Sequence, residues 1–179
     1  FLQIPRGMRD LFLEGLSETK KKEVAEYLVY PEDSAGRIMG KDVLSFHTDL
    51  TIKEAIGKIR SMVRKGVPIT YLYVVDHENR LVGVMNMRDM MLAPEGDRLE
   101  NVMRRDVFAV DCFMDREKVA NELSQRSYFA APVIDAQRHL LGIVKAENLI
   151  RDVQEEATED LQKMFGAGGD ERVSSPVSF

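Results

Sequence analysis

The 179-residue sequence has one cysteine, three histidines and no long hydrophobic run. The single cysteine, Cys112, excludes a disulfide framework and is typical of a small buried side chain. No window reaches the roughly 18 apolar residues that a membrane span requires, and residues 1–8 lack the apolar core of a signal peptide. Taken alone, the chain is therefore expected to be soluble.

The sequence also lacks a basic stripe of the kind that nucleic-acid-binding surfaces require. Its formal net charge is −5. Much of the negative charge lies between Glu147 and Asp160, where six acidic residues stand against one basic residue, Arg151. A nucleic-acid partner is therefore not expected, and the electrostatic character of the chain is concentrated in a segment as long as one helix.

An internal repeat dominates the rest of the sequence. KDVLSFHTDLTIKEAIGKI (residues 41–59) is echoed 64 positions later by residues 105–123. YVVDHENRLVGVMNMRDMM (residues 73–91) returns 59 positions later at residues 132–150. The chain therefore contains two related units of about 55 residues each.

Each unit has the pattern of a strand, a helix, two strands joined by a tight polar turn, and a last helix. The first strands are predicted at Val43 to Phe46 and at Val107 to Val110. Thr51 with Glu54 predicts a capping box on the first helix, and Asp115 predicts the cap of its counterpart. One unit is too small to cover its own sheet, so we expect an α/β (α+β) fold in which two small sheets pack about a pseudo-twofold axis, with clefts between the copies.

The motif VVDHENRLVGVMNMRD resembles the cystathionine-β-synthase (CBS) domain, and the tandem resembles a CBS pair. YPEDSAGRIM (residues 30–39) before the first copy and EEATED after the second are similar to the cytosolic part of MgtE-type magnesium channels. The resemblance implies a regulatory fragment that forms a homodimer at the cytoplasmic face of the cell membrane. Its further partner is then the membrane pore domain of its own full-length chain, beyond Phe179.

The repeat and the resemblance together divide the chain into five segments. They are the end of a helical N-terminal domain (1–37), the first CBS repeat (38–92), the second CBS repeat (99–148), an acidic connecting or plug helix (149–165) and a flexible connector rich in glycine and serine (166–179).

CBS pairs commonly bind adenine nucleotides such as ATP between their copies, and the resemblance implies one such site here. The matching residues are Tyr71 and Tyr128 for the adenine, Asp89 for the ribose hydroxyls, Arg88 for phosphate and Val107 for backbone contacts. Asn86 departs from the hydroxyl residue of the family pattern, and Asn148 replaces the ribose acceptor in the second copy. Asp89 could instead cap or ion-pair the short last helix. We find no P-loop and no nucleophile–base set, so ATP is expected as a ligand and the protein is not expected to be an enzyme.

The acidic segment predicts an amphipathic helix over 149–165, because apolar residues recur there at steps of three and four. Its other face repeats like charges at i,i+4, each pair costing about 0.2–0.5 kcal/mol, which a hard cation such as magnesium relieves. In the family, such acids bind magnesium and hold the cytosolic domains compact, which closes the pore. The candidate ligands are Asp115, Glu117, Asp152, Glu155, Glu156, Glu159 and Asp160. A solvated helix face without metal is the alternative.

Two functions from different classes remain open. The first is a magnesium-sensing regulatory domain of a channel, modulated by ATP. The second is an adenine-nucleotide-sensing CBS module that regulates a metabolic enzyme. The three histidines, His47, His77 and His139, have no partner at metal-binding spacing in the sequence, so we interpret them as surface or turn residues.

Overall fold

The computed structural model describes residues 14–64 and 71–149, which contain both copies of the repeat. A first helix, α1 (Glu18–Leu28), precedes them. The elements of the first copy are α2 (Ala35–Ile38), β1 (Ser45–His47), α3 (Ile52–Val63), β2 (Tyr71–Val75), β3 (Leu81–Asn86) and α4 (Met87–Leu92). Those of the second are α5 (Leu99–Val102), β4 (Val110–Asp111), α6 (Arg116–Arg126), β5 (Ala130–Ile134) and β6 (Leu140–Lys145), followed by helical residues 146–149.

The strands form two three-stranded sheets with the orders β1-β2-β3 and β4-β5-β6. In each sheet the first strand is parallel to the second, and the second is antiparallel to the third. The predicted order of strand, helix, two strands and helix is therefore confirmed in both copies. Both first strands begin later than predicted, at Ser45 and Val110, because the apolar residues before them pack between the sheets instead of pairing in a ladder. Val43, Val107 and Ala109 contact the same inter-sheet cluster.

The predicted caps are confirmed at the helix that follows the first strand of each copy. Thr51 and Glu54 form a reciprocal capping box: the Thr51 hydroxyl accepts from the Glu54 amide at 3.3 Å, and the Glu54 carboxylate accepts from the Thr51 amide at 2.9 Å. Asp115 caps α6 by accepting from the amide of Glu117 at 2.8 Å. Local sequence therefore fixes where both of these helices begin.

The short leading helix of each copy packs into the core of the other copy. Ala35 and Met39, from α2 and its end, are buried among the core residues of the second copy. Leu99 and Met103, from α5 and its end, are buried in the core of the first. The correspondence at an offset of 64 therefore extends back to residue 35, ahead of the echo that begins at residue 41 and of the predicted first repeat, 38–92.

Backbone hydrogen bonds hold the exchanged segments at the third strand of each sheet, β3 or β6. Gly40 exchanges two backbone hydrogen bonds, of 2.8 and 2.9 Å, with Ile143 on β6. Arg104 exchanges two of 3.0 Å with Val84 on β3. The leading segment of each copy thus satisfies backbone groups at the edge of the other copy's sheet.

The two hairpin turns meet at the pseudo-twofold axis. The amide of Leu81 donates to the carbonyl of Arg138 at 2.8 Å, and the amide of Leu140 donates to the carbonyl of Asn79 at 3.0 Å. Asn79 and Arg138 occupy the same turn position and both have positive φ angles, 62° and 67°. Beside these turns, Tyr73, Val75, Leu81 and Leu140 form a buried cluster that joins the sheets. The predicted pseudo-twofold packing is therefore confirmed.

We expect Gly142→Ala to destabilise the protein by about 1–3 kcal/mol, because close-packed sites tolerate added atoms poorly. A Cβ at Gly142 would lie 2.5 Å from the Gly40 carbonyl oxygen and 3.0 Å from the Met39 sulfur. Gly57→Ala is the matched control, since a Cβ there meets nothing within 4 Å and α3 should gain about 0.5–1 kcal/mol. Urea unfolding of both variants measures the difference, and equal effects would show that the exchanged leading segment is not closely packed on β6.

Candidate functional site

Two clefts lie between the copies, related by the pseudo-twofold axis. The first cleft has a volume of about 160 Å³ and is lined by residues including Tyr71, Arg104, Asp106, Val107, Phe108 and Tyr128. The second cleft has a volume of about 410 Å³ and is lined by residues including Asp42, Leu44, Phe129, Lys145 and Glu147. Tyr71, Tyr73 and Ala130 contribute to both clefts, because β2 and β5 run between them.

Aromatic side chains form the wall of the first cleft. Three of the predicted residues, Tyr71, Val107 and Tyr128, line it together. The ring of Tyr128 contacts Phe108, which is not among the predicted site residues, with centroids 5.7 Å apart and planes tilted by 53°. The guanidinium of Arg126 covers the Phe108 ring at 4.4 Å. Tyr71 and Tyr128 are 39% and 44% exposed, so both rings remain accessible to a planar ligand.

Burial distinguishes Tyr73 from these two tyrosines. Its side chain is 3% exposed, and burial raises the pKa of its hydroxyl well above the ordinary value. Tyr73 therefore remains neutral and contributes an apolar floor to both clefts.

Asn86 and Asp89, at the start of α4, are not among the residues that line the first cleft, and Asp89 is linked to it through Arg104. The Asn86 side chain accepts a hydrogen bond from the amide of Asp89 at 2.7 Å and so caps the helix. The Asp89 carboxylate accepts from the Arg104 guanidinium at 2.8 Å. Of the two alternatives to ribose binding by Asp89, the cap is made by Asn86, whereas Asp89 forms an ion pair with Arg104 of the other copy.

Arg88 stands apart from this arrangement. It lies on α4 next to Asp89, but its side chain is exposed and it is not among the residues that line the first cleft. The cation that lines the cleft is Arg104, which was not among the predicted site residues. No local signal marks Arg104, because its counterpart in the first copy is Gly40, whereas Phe108 could have been selected as the neighbour of Val107.

The second cleft has a different polar set. Lys145 and Glu147 occupy the positions of Asn86 and Arg88, and Asp42 occupies that of Asp106. Phe129 is 81% exposed beside them. Asn148 stands where the first copy has Asp89, so the second copy lacks a carboxylate at that position.

The chemistry of the first cleft fits an adenine nucleotide, with exposed aromatic faces suited to a base, the Arg104 guanidinium suited to phosphate, and the Asp89 carboxylate paired with that guanidinium. Its volume of about 160 Å³ is smaller than the range of about 300–1,000 Å³ that is usual for small-molecule sites. A whole nucleotide would therefore extend beyond this volume.

Two of the predicted metal ligands lie within the described residues. One Asp115 oxygen caps α6, and the exposed Glu117 lies in the same turn. Within residues 14–64 and 71–149, no group of three or more His, Cys, Asp or Glu side chains is arranged to hold a metal ion. The other predicted ligands, Asp152, Glu155, Glu156, Glu159 and Asp160, lie outside the described residues. The magnesium site stays a prediction.

Two of the three histidines lie closer together than their spacing in the sequence suggests. The rings of His47 and His77 stack with centroids 6.0 Å apart, and His47 Nδ1 lies 3.2 Å from the carbonyl oxygen of Asp76. His139 pairs with Asp135 at 2.8 Å. The parallel pairing of β1 with β2 brings His47 beside the turn that carries His77, which spacing along the chain could not reveal.

In the part of the chain that the structure describes, no helix has the length and apolar character needed to cross a membrane.

Comparison with known proteins identifies both the repeat and its relatives. The CBS domain family matches residues 35–96 and 99–155. The magnesium transporter MgtE of Bacillus subtilis (strain 168) is 32% identical over 158 residues, which are 88% of this chain and 35% of that protein. The chain therefore spans about a third of the length of this relative.

Two solved structures are also similar. A crystal structure of the soluble part of a magnesium transporter superposes with a TM-score of 0.75 at 31% identity, covering 86% of this chain and 60% of that one. A crystal structure of the cytosolic domain of the Mg²⁺ channel MgtE in complex with ATP superposes with a TM-score of 0.72 at 29% identity, covering 84% and 60%.

The capping role of Asn86 can be tested by Asn86→Ala, which should cost about 0.5–2 kcal/mol of stability because the Asp89 amide loses its acceptor. Asn86→Ser is the matched control, since a serine hydroxyl can replace the cap. Thermal and urea unfolding measure both variants. If alanine is as stable as serine, the 2.7 Å bond of Asn86 does not hold the start of α4.

Proposed function

This chain belongs to the CBS domain family, and on that premise we propose that it is the magnesium-sensing regulatory part of an MgtE-type magnesium channel, with an adenine nucleotide as a second ligand. The observation that supports this best is the combination of the MgtE similarity over most of the chain with an aromatic cleft whose lining residue Arg104 pairs with Asp89. The full-length protein would place this part at the cytoplasmic face of the cell membrane, as a homodimer joined to its pore domain.

In the first cleft, the proposed nucleotide inserts its adenine between the accessible faces of Tyr71 and Tyr128. The Asp89 carboxylate accepts hydrogen bonds from the ribose hydroxyls, and the backbone near Val107 borders the base. Arg88, exposed on the same helical turn, adds positive charge for the phosphates. ATP is bound and not hydrolysed in this proposal, since no P-loop sequence accompanies the cleft.

Magnesium sensing is assigned to the acidic residues Asp115 and Glu117 together with those of 152–160. A hard divalent cation prefers carboxylate oxygens and keeps much of its water, so a few carboxylates for each ion suffice. Bound magnesium relieves the repulsion among these acids and favours the compact arrangement. By linkage, the ion stabilises the state that binds it more strongly, here the closed channel.

The contacts around Asp115 provide a route from these acids to the N-terminal segment. The Arg116 guanidinium, 16% exposed, lies 3.2 Å from the Asp33 carboxylate, and the Arg116 amide donates to the Asp33 carbonyl at 2.7 Å. Arg37, which is buried, donates to the carbonyls of Tyr27 and Tyr30. The segment that carries α1 is thus attached to the start of α6, next to two of the proposed ligands.

The nucleotide site is tested by Tyr128→Ala, which should weaken ATP binding by about 1–3 kcal/mol, the contribution of one base–aromatic stack. Phe129→Ala is the matched control, because Phe129 is equally aromatic and more exposed but lines the second cleft. Isothermal titration calorimetry measures both. A larger loss in Phe129→Ala would place the nucleotide in the second cleft instead.

Magnesium sensing is tested by hydrogen exchange over residues 149–165, with magnesium titrated at constant ionic strength set by potassium. We expect protection to grow with magnesium and to disappear in Glu159→Gln plus Asp160→Asn. Asp49→Asn plus Glu95→Gln removes the same charge from exposed sites elsewhere and should keep the response. If magnesium changes nothing beyond the potassium control while ATP still binds, a nucleotide-sensing module of a metabolic enzyme becomes the better assignment.

A further inference from the structure

The Arg104 guanidinium is paired with the Asp89 carboxylate, which the proposed nucleotide requires for its ribose hydroxyls. The guanidinium and carboxylate are 2.8 Å apart, and the two side chains are 65% and 32% exposed. Arg104 lines the first cleft. The pair joins the leading segment of the second copy to α4 of the first, so it links a residue that lines the cleft to a carboxylate that does not.

Only the side chain of Arg104 has to move for this pair to open. Its backbone is fixed to Val84 by two hydrogen bonds of 3.0 Å, and Met103 before it is buried in the core of the first copy. The side chain is exposed, and an exposed pair of this kind contributes little to stability. The guanidinium can therefore exchange partners at small cost while its anchor stays in place.

We propose that Arg104 is an exchange residue that makes the first cleft select phosphorylated nucleosides. Without ligand, its guanidinium pairs with Asp89; with a nucleotide bound, it moves to the phosphates and leaves Asp89 to the ribose hydroxyls. This inference rests on the proposed nucleotide function and adds to it the residue that determines specificity.

The exchange follows from the donor and acceptor inventory of the groups. Arg104 has donors only, in a planar fork that fits phosphate as well as carboxylate. Asp89, when ionised, has acceptors only, and a ribose diol offers it two donors. A nucleoside must displace Arg104 from Asp89 and offers the cation no anionic partner in return. A nucleotide supplies that partner, so it is bound without this loss.

Neighbouring cations are less suited to the role. The Arg105 guanidinium donates to the carbonyl of Glu100 at 2.9 Å and does not line the first cleft. Arg88 is exposed on α4 and does not line it either. Among the residues that line the first cleft, Arg104 is the cation.

The test compares adenosine, AMP and ATP by isothermal titration calorimetry at constant ionic strength, in the unmodified chain, Arg104→Gln and Arg105→Gln. We expect Arg104→Gln to weaken ATP about tenfold or more, the usual loss for a hydrogen bond to a charged group, and to leave adenosine equal or tighter. Arg105→Gln should preserve the ATP-to-adenosine ratio. Arg104→Lys keeps the charge without the fork and should give an intermediate ratio.

Three outcomes overturn the inference. An unchanged ATP-to-adenosine ratio in Arg104→Gln would leave the nucleotide site intact but remove the role of Arg104. An equal loss in Arg104→Gln and Arg105→Gln would reduce the effect to general positive charge. If the unmodified chain binds none of the three ligands, the proposed nucleotide function fails and the inference fails with it. Thermal unfolding confirms that each variant is folded.

Discussion

Each copy of the repeat has a hydrophobic core that a helix of the other copy completes. Leu99 and Met103 complete the first core, and Ala35 and Met39 complete the second. Burial of a large apolar side chain contributes about 1.5–3 kcal/mol, and a unit of about 55 residues has little surplus to lose. The exchange of leading helices therefore makes the two copies one folding unit, and the rest of the structure depends on it.

The first cleft is a consequence of the same exchange. The segment that follows Met103 has to cross the edge of the first sheet, where Arg104 pairs with Val84. That crossing brings Arg104 to Asp89 and places Val107 and Phe108 opposite Tyr71. A ligand in the first cleft would thus contact both copies at once, and its binding energy could act on their relative position. This is the physical requirement for a domain that converts ligand binding into a change of conformation.

The pseudo-symmetry is close in the backbone and broken in the side chains. The hairpin contacts at the axis, the leading-segment pairs and the glycines at positions 83 and 142 all recur in both copies. The surroundings of the two clefts nevertheless differ, because the counterpart of Asp89 in the second copy is Asn148 and the counterpart of Arg104 in the first copy is Gly40. Backbone hydrogen bonding and close packing preserve the fold, whereas the exposed rim positions are free to differ and so give each cleft its own chemistry.

The sequence by itself determined the repeat, the order of elements, the caps at Thr51 and Asp115 and three residues of the cleft wall, because these depend on local hydrogen bonding, on periodic burial and on the family pattern. It could not place the first strands accurately, since Val43 and Val107 are apolar for packing between the sheets. Tertiary structure alone decided that α2 and α5 exchange copies, that His47 stacks on His77 and that Arg104 pairs with Asp89. Each of these joins residues that are distant in the chain, and their contact depends on how the two sheets pack, which no local pattern encodes.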